Sequence, residues 1–507
     1  MRSETHAAHD SHPLMRASHE LTLSALLVTA ALIAPCLARA QDDLSERVQH
    51  LSDAMAQVQR QIEESQRQLK DLQQQLATIQ HETGSKGSSS SSEADSGASQ
   101  LALAVDELRE RQSVLESQTA TQDQAKVESA SKYPVRFSGM ILMNGYVNTG
   151  KGDSVLTPSV ALGGAGTTGA SLRQTILGLD MHGPHVFGAS SSADIRLDFA
   201  ASVSSGSTYG ADKFGLARLR TAHGELRWDR TRAFFSLDKP LISPQSPVSI
   251  TAVAVPALAW SGNLWTWNPQ LGVEQEIGSG SHGQLSAQAA LIAETDPPAL
   301  FPSSPLPSYT PPSTSEWSRW PGVEAAINFA PPQPENGFLL GIGGIFAPHR
   351  VPQGKFDSWA GTLNFGLPLG SRSRFSGSAY RGQGLGGLGG GAYKDYVYRT
   401  TPTDFYFQAL DDFGGWGQLK QMIGERLEMN AAAGIDNVPG HQLRPFVIPT
   451  PGGLYNLARN RTFTGNVIFS PSAYLLFSVE YRRIMSSFVN LPTQSSDVIG
   501  IAAGYKF

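Results

Sequence analysis

Much of what would mark this chain as an enzyme or a disulfide-held domain is missing. It has one cysteine in 507 residues, Cys36, so no disulfide can form within the chain and no cysteine-rich metal site exists. No G-x-S-x-G, H-E-x-x-H or P-loop pattern occurs, which leaves common hydrolase, metalloprotease and nucleotide-binding chemistries without their residues. No catalytic residue, metal or cofactor is expected. Charged residues are only 16% of the chain, and the formal net charge of −5 is too mild to indicate a nucleic-acid partner. Past residue 40 there is no apolar run of about 18 residues, the length a helical membrane span needs. Any membrane role beyond that point must use strands. Glycine (51) and proline (31) are plentiful, a turn-rich composition, and the length exceeds one ordinary core.

The first 40 residues read as an export signal. Arg16, His19 and Glu20 precede the apolar run LTLSALLVTAALIAPCLA, and Ala38-Arg39-Ala40 supplies the small-x-small pattern for cleavage after Ala40. The long lead-in makes Met15 a second candidate start. Lipid attachment at Cys36 would want a small residue where Pro35 stands.

A heptad follows. Leu44, Val48, Leu51, Met55, Val58, Ile62, Ser65, Leu69, Leu72, Leu76 and Ile79 recur at alternating spacings of 4 and 3, a seam that predicts a self-associating coiled coil over 41–81. A helix packed on its own domain is the alternative. Residues 82–132 read as a flexible linker: GSKGSSSSSEADSGAS has too little apolar content to fold, and a short stripe at Leu101, Val105, Leu108 and Leu115 adds one helix.

From Tyr133 the period changes from seven to two. Ala193, Ile195, Leu197 and Phe199 alternate with Asp194, Arg196 and Asp198; Leu475, Phe477, Val479 and Tyr481 alternate with Leu476, Ser478, Glu480 and Arg482. A soluble sandwich would point the oily face inward and break into units of about 100 residues. A transmembrane barrel points it at lipid and joins its strands by short turns on one side and long loops on the other. FSPSAY (469–474) is such a turn, whereas 293–320 and 381–405 are long loops rich in Pro or Gly. At about 20 to 25 residues per strand and connection, residues 133–507 predict an all-β transmembrane β-barrel of 16 antiparallel strands. The terminal VIGIAAGYKF fits, because a closed barrel pairs its last strand with its first. Its Tyr505 and Phe507 resemble the C-terminal signal that the barrel assembly machinery of bacterial outer membranes recognises.

The stretches SLRQTILGLDMHGP (171–184), HGELRWDRTRAFFSLDKPLISP (223–244), GGWGQLK (414–420) and RTFTGNVIFSPSAYLLFSVEYRR (461–483) resemble the DcaP-like porins of Gram-negative outer membranes. The resemblance implies a homotrimer held by barrel and coiled coil, with the coil in the periplasm and the barrel among outer-membrane lipid and lipopolysaccharide. Where many porins carry a lumenal Arg before the Gly of an S-R-L-G type strand, this chain has Ile176 before Leu177 and Gly178.

The strand pattern places Arg196, Arg227, Arg232, Arg374, Arg482, Asp194, Asp198, Glu225, Asp238 and Glu480 on the pore-lining face, with His223, Arg426 and Glu428 beside them. Such a channel would pass small hydrophilic solutes with a mild preference for carboxylates; alternatively the charges pair across the wall and only keep it solvated. Arg218 and Arg220 fall in the lipid-facing register and are expected at the rim or past a bulge. The nearly uncharged loop 243–270, with Trp260, Trp265 and Trp267, is the constriction candidate, an aromatic girdle at the membrane interface being the alternative. The rival function is a trimeric tether whose coil contacts peptidoglycan or a periplasmic partner.

Overall fold

The structure, a computed structural model, describes residues 133–507 apart from 202–214, 281–282, 298–311, 332–336, 352–353, 402 and 449–452. The export signal, coiled coil and linker expected over 1–132 lie outside the described residues.

The strands are β1 (Val135–Gly152), β2 (Ala161–Ser171), β3 (Ile176–His182), β4 (Ser190–Ala201), β5 (Leu216–Arg227), β6 (Thr231–Asp238), β7 (Asn268–Gly280), β8 (Gly283–Ile292), β9 (Gly322–Ala330) and β10 (Leu339–Val351). They continue with β11 (Gly354–Pro368), β12 (Ser373–Gln383), β13 (Tyr396–Thr400), β14 (Phe405–Ala409), β15 (Asp411–Ile423), β16 (Leu427–Asn437), β17 (Leu457–Phe469), β18 (Leu475–Phe488) and β19 (Gln494–Lys506). Seventeen of them form one sheet, antiparallel throughout, in which β2 and β3 both pair with β1, β12 pairs with β15, and the remaining strands pair with their sequence neighbours, while β13 and β14 make a separate hairpin. The sheet closes where β19 pairs with β1, from Met140 opposite Lys506 to Asn148 opposite Val498. β2 and β3 run end to end along β1, β3 beside Val135–Met140 and β2 beside Asn144–Gly152. They are two halves of one stave, so among the described residues the barrel has sixteen. Among those residues no helix is long and apolar enough to cross a membrane.

Side-chain alternation sets the two faces. Phe137, Ile141 and Met143 of β1, Phe235 of β6, Leu475, Phe477, Val479 and Tyr481 of β18, and Ile499, Ile501, Tyr505 and Phe507 at the end are outward and exposed. Asn144, Ser236, Ser478, Glu480 and Ser496, one residue out of step with them, are buried within the barrel. This inverts a soluble protein's arrangement and is the arrangement that lipid demands. Phe507 is tied down: its N–H donates to the Gly139 carbonyl and its carbonyl accepts from the Gly139 N–H, each at 3.1 Å, and its ring packs 5.5 Å from that of Phe137.

Near the rim where β1 begins and β19 ends, connections are short; Gly424–Arg426 and Ser470–Tyr474 are examples. The opposite rim carries the long segments 239–267, 293–321, 384–410 and 438–456. Arg426, expected on the inner wall, sits in a turn instead, because β15 ends at Ile423 and β16 starts only at Leu427.

Candidate functional site in the lumen

Segment 239–267 folds into the barrel and runs along one side of it. The inner wall holds it mostly with amide and hydroxyl side chains aimed at its backbone, joined by Glu324, whose Oε2 accepts from the Leu241 N–H at 2.8 Å. Thr362 Oγ1 and Asn364 Nδ2 both donate to the Ile242 carbonyl at 2.8 Å, Asn466 Nδ2 to Val248 O at 2.8 Å, Asn144 Nδ2 to Ile250 O at 3.1 Å, and Asn460 Nδ2 to Trp260 O at 2.9 Å. Gln174 is the densest anchor. Its Nε2 donates to Thr251 O at 2.8 Å, and its Oε1 accepts from the N–H groups of Val253 and Ala254 at 2.7 and 2.9 Å. It can do so because the stave breaks at Leu172–Thr175, freeing Gln174 from the ladder between β2 and β3. Gly262 completes the contact at φ +97°; a side chain there would strike the Gly415 carbonyl. The covered wall thus comprises β9–β12, β15–β19 and β1.

The wall from β3 to β7 lies on the other side and is lined by charge. A space of about 370 Å³ is bordered there by Asp180, Asp194, His223, Glu225, Arg232, Phe234, Asp238 and Lys239, among others. These charges pair. Arg196 reaches Asp180, passing across Gly178, where a Cβ would lie 2.9 Å from the Arg196 Cδ. Arg232 meets Glu274 at 2.7 Å and Glu225 at 3.3 Å, while Arg227 meets Glu225 at 3.2 Å. His223 places Nδ1 3.1 Å from Asp194 and Nε2 2.9 Å from Asp238.

Deeper, where this wall faces the inward segment, two guanidiniums share one carboxylate. Arg218 forks onto Asp198 at 3.0 and 2.7 Å and also donates to Ala254 O at 2.9 Å. Arg220 lies 3.6 Å from the same Asp198 and donates to Val253 O at 2.6 Å. Both guanidiniums stand 5.0 Å from the centre of the Trp267 ring, an arrangement worth about 0.5–2 kcal/mol each. The β4–β5 register slips between the pairs Arg196–Thr221 and Leu197–Leu219. This bulge turns Arg218 and Arg220 inward although their spacing from Ala222 would face them to lipid. Burial pulls Lys239, at the start of the inward segment, below the ordinary lysine range, with Asp238 opposing the shift.

Every residue expected to line the pore faces inward by register, but three do not border open space. Arg482 and Glu480 pair at 2.5 Å beneath the inward segment, with Glu480 accepting from Ser249 Oγ at 2.5 Å and Arg482 donating to Pro158 O at 3.3 Å. Asp198 is closed off under its two arginines. Arg374 lies near the short-turn rim and donates to Gly337 O at 2.8 Å. Lys420, which the strand pattern did not single out, pairs with Glu428 at 2.8 Å. Trp260 and Trp265 are buried inside the loop cluster: Trp260 stacks on Tyr393 with centroids 3.9 Å apart and meets Trp265 edge-on at 6.0 Å.

Tyr393 and Lys394 belong to segment 384–410, which also turns inward. Asp412 and Asp436 accept the N–H groups of Gly391 and Ala392 at 2.7 and 3.0 Å, holding a turn in which Ala392 and Tyr393 take φ of 46° and 76°. Lys394, fully buried, donates to Leu457 O at 2.7 Å and Ala392 O at 2.9 Å. Burial lowers Lys394 to about 7 and raises Asp395 to about 8. Among the described residues no cluster of three or more His, Cys, Asp or Glu is placed to hold a metal ion.

No protein-family model and no curated protein matches the sequence. Solved structures do. The crystal structure of the outer membrane channel DcaP of Acinetobacter baumannii superposes with a TM-score of 0.56, covering 74% of this chain and 99% of that one at 15% sequence identity. The fold is that of a porin. Looser likenesses to other porin-fold structures include an anion-selective porin from Comamonas acidovorans (TM-score 0.46, 9% identity, 74% and 100% of the two chains) and Pseudomonas putida OprB (0.46, 10%, 74% and 94%).

Proposed function

We propose that this chain is an outer-membrane porin through which small hydrophilic solutes diffuse past a constriction formed by segment 239–267. One observation carries the reading: a sixteen-stave closed barrel, apolar outside, holds an inward segment against one wall while the charged wall β3–β7 borders open space. Arg196, Arg227, Arg232, Asp194, Glu225 and Asp238 line that path, with Arg374 near the short-turn rim. Trp267 and the paired guanidiniums of Arg218 and Arg220 form its narrow part. Two fixed positive charges against one carboxylate leave a local excess that favours organic anions such as carboxylates. The other wall charges largely cancel one another, so the preference is mild.

The chain assembles, in this reading, as a homotrimer strengthened by the coil of residues 41–81 on the periplasmic side, and Tyr505 and Phe507 present the final strand for insertion. Planar-bilayer recording of the purified protein tests the proposal. Steady conductance in KCl is expected, with a reversal potential shifted modestly toward anions under a salt gradient. A protein that inserts and passes no current is a tether, not a porin.

A further inference from the structure

We propose that the outward face of β17, β18, β19 and β1 at the long-loop rim binds a phosphorylated membrane lipid, its phosphates on a basic patch and an acyl chain in the groove beneath. The inference rests on the porin reading only for its membrane setting and needs no open pore. Lys151 of β1, Arg459 and Arg461 of β17 and Arg483 of β18 stand in the outward register, where side chains of a barrel normally meet lipid. Strand pairing brings them to one level. Arg461 lies opposite Met485 and Phe463 opposite Arg483, and Arg483 lies opposite Asp497. The Asp497 N–H donates to Thr149 Oγ1 at 2.8 Å, and Lys151 is the next outward residue of β1. With neighbouring strands about 4.8 Å apart, the patch is roughly 15 Å wide.

These four cations share one carboxylate. Asp497 meets Arg483 at 3.2 Å and accepts from the Tyr481 hydroxyl at 2.7 Å through the same oxygen. Among the described residues no carboxylate pairs with Lys151, Arg459 or Arg461. Arg459 donates through Nε to the neutral Asn437 Oδ1 at 2.5 Å, and the Arg461 Nε is buried with no hydrogen-bond partner. Beside lipid tails such charge is costly, whereas at headgroup level a guanidinium fork matches phosphate oxygens. The next outward residues toward mid-barrel fix that level: Tyr481, Ile499 and Val147 pair in one row, are exposed, and open the apolar band. A second observation lies just past them. Met143, Gly145, Phe477, Val479, Ile501 and Ala503 border an apolar groove of about 500 Å³ on the same strands, with room for a chain where the residues are small. Charge above an apolar groove fits one amphiphile; a second copy of the barrel would have to bring carboxylates to the patch and side chains to the groove.

The test uses the full chain, refolded in detergent free of lipopolysaccharide and titrated with diphosphoryl lipid A in mixed micelles, the bound lipid being read by native mass spectrometry. Diphosphoryl lipid A is expected to bind, its phosphate-free form to bind about tenfold more weakly, and inorganic phosphate alone not to be retained. Arg459→Gln with Arg461→Gln and Arg483→Gln should weaken binding of the diphosphoryl form about tenfold and leave the phosphate-free form unchanged. Arg230→Gln with Arg372→Gln and Arg426→Gln removes the same charge from turns at the opposite rim and should change neither. Equal binding of the two lipids, retention of phosphate alone, or equal losses in the two triple variants overturns the site. So does a patch variant that loses its trimers and keeps its lipid, which would give the face to a second copy. Heat-resistant migration reports folding of each variant whether or not the channel conducts, so the lipid site and the porin reading fail separately.

Discussion

The two walls of the lumen solve different problems. Where the wall faces water, along β3–β7, its inward side chains are Asp, Glu, Arg and His, each set against an opposite charge. Where it faces the inward segments, along β9–β12, β15–β19 and β1, they are mostly Asn, Thr, Ser, Gln and small residues, and most of their hydrogen bonds go to loop backbone, with Glu324, Asp412 and Asp436 accepting from loop N–H groups. A buried amide needs only a carbonyl partner, whereas a buried charge must find a counter-charge and give up its hydration. Glu480 and Arg482, the ion pair on the covered wall that the segment hides, are paired with each other for that reason. The kind of polarity on an inward face therefore reports what lies opposite it.

Removing the covering segment is the strongest way to break this contrast. Replacing residues 243–262 with a short Gly-Ser link should leave the barrel intact, since the strand ladders do not use the segment, and should raise single-channel conductance several-fold by widening the lumen. Unchanged conductance would show that the path does not pass the segment. Loss of heat-resistant barrel migration would show that the covered wall needs its cover.

The next effect is on selectivity. Arg218→Gln with Arg220→Gln removes two charges that answer to one Asp198, so the reversal potential should move clearly toward cations. Arg227→Gln with Arg232→Gln removes as many charges but should move it less, because those arginines stand on the open wall with Glu225 and Glu274 and not at the narrowing beside Trp267. Equal shifts for the two double variants would place the selectivity in the bare wall as a whole.

A smaller effect is expected at the anchor. Gln174→Ala strands the N–H groups of Val253 and Ala254 and should loosen the segment by about 1–3 kcal/mol. More current noise at nearly unchanged reversal potential is the outcome that separates holding from selecting. A shifted reversal potential would assign Gln174 to the path itself.

Much of the wall was legible because the period of two is unforgiving: Leu475, Phe477, Val479 and Tyr481 cannot face lipid unless Glu480 and Arg482 face inward. The closure at Phe507 was legible for the same reason. What alternation cannot carry is the third layer. The break at Leu172–Thr175 is hidden in SLRQT, which reads as continuous strand, and so was the role of Gln174. Asn144, Asn364, Asn460 and Asn466 looked like ordinary lumenal polar residues, although amides at inward positions on strands β1, β11 and β17 were the available signal for a loop to be held. The β13–β14 hairpin lay inside a glycine-rich loop, where its Tyr396, Tyr398, Phe405 and Phe407 cluster beside Phe356 offered only two short alternations. Arg218 and Arg220 were visibly out of register, and the bulge that turns them inward is an extra residue no pattern of two can place.

The smallest expected effect concerns pH and the second inward segment, 384–410. Asp395 accepts from the Gly387 N–H at 3.1 Å inside that segment. Burial raises it from 3.8 to about 8, so the seated segment holds a proton that an open one lacks between those values. Seating is then favoured at low pH and weakens as pH rises toward 8. Burial lowers Lys394 from 10.5 to about 7, so the open segment holds the extra proton between about 7 and 10.5, and seating strengthens as pH rises through that window. The two slopes oppose each other, and the segment should be loosest near pH 7 to 8. Amide exchange at Gly387 and Leu410, corrected for the intrinsic rate, should therefore peak there, and Asp395→Asn should abolish the rise on the acid side while leaving the fall on the alkaline side. A corrected rate that is monotonic in pH would mean that one of these two buried groups does not govern the seating. The bare wall, whose charges are already paired and partly hydrated, should show no such peak.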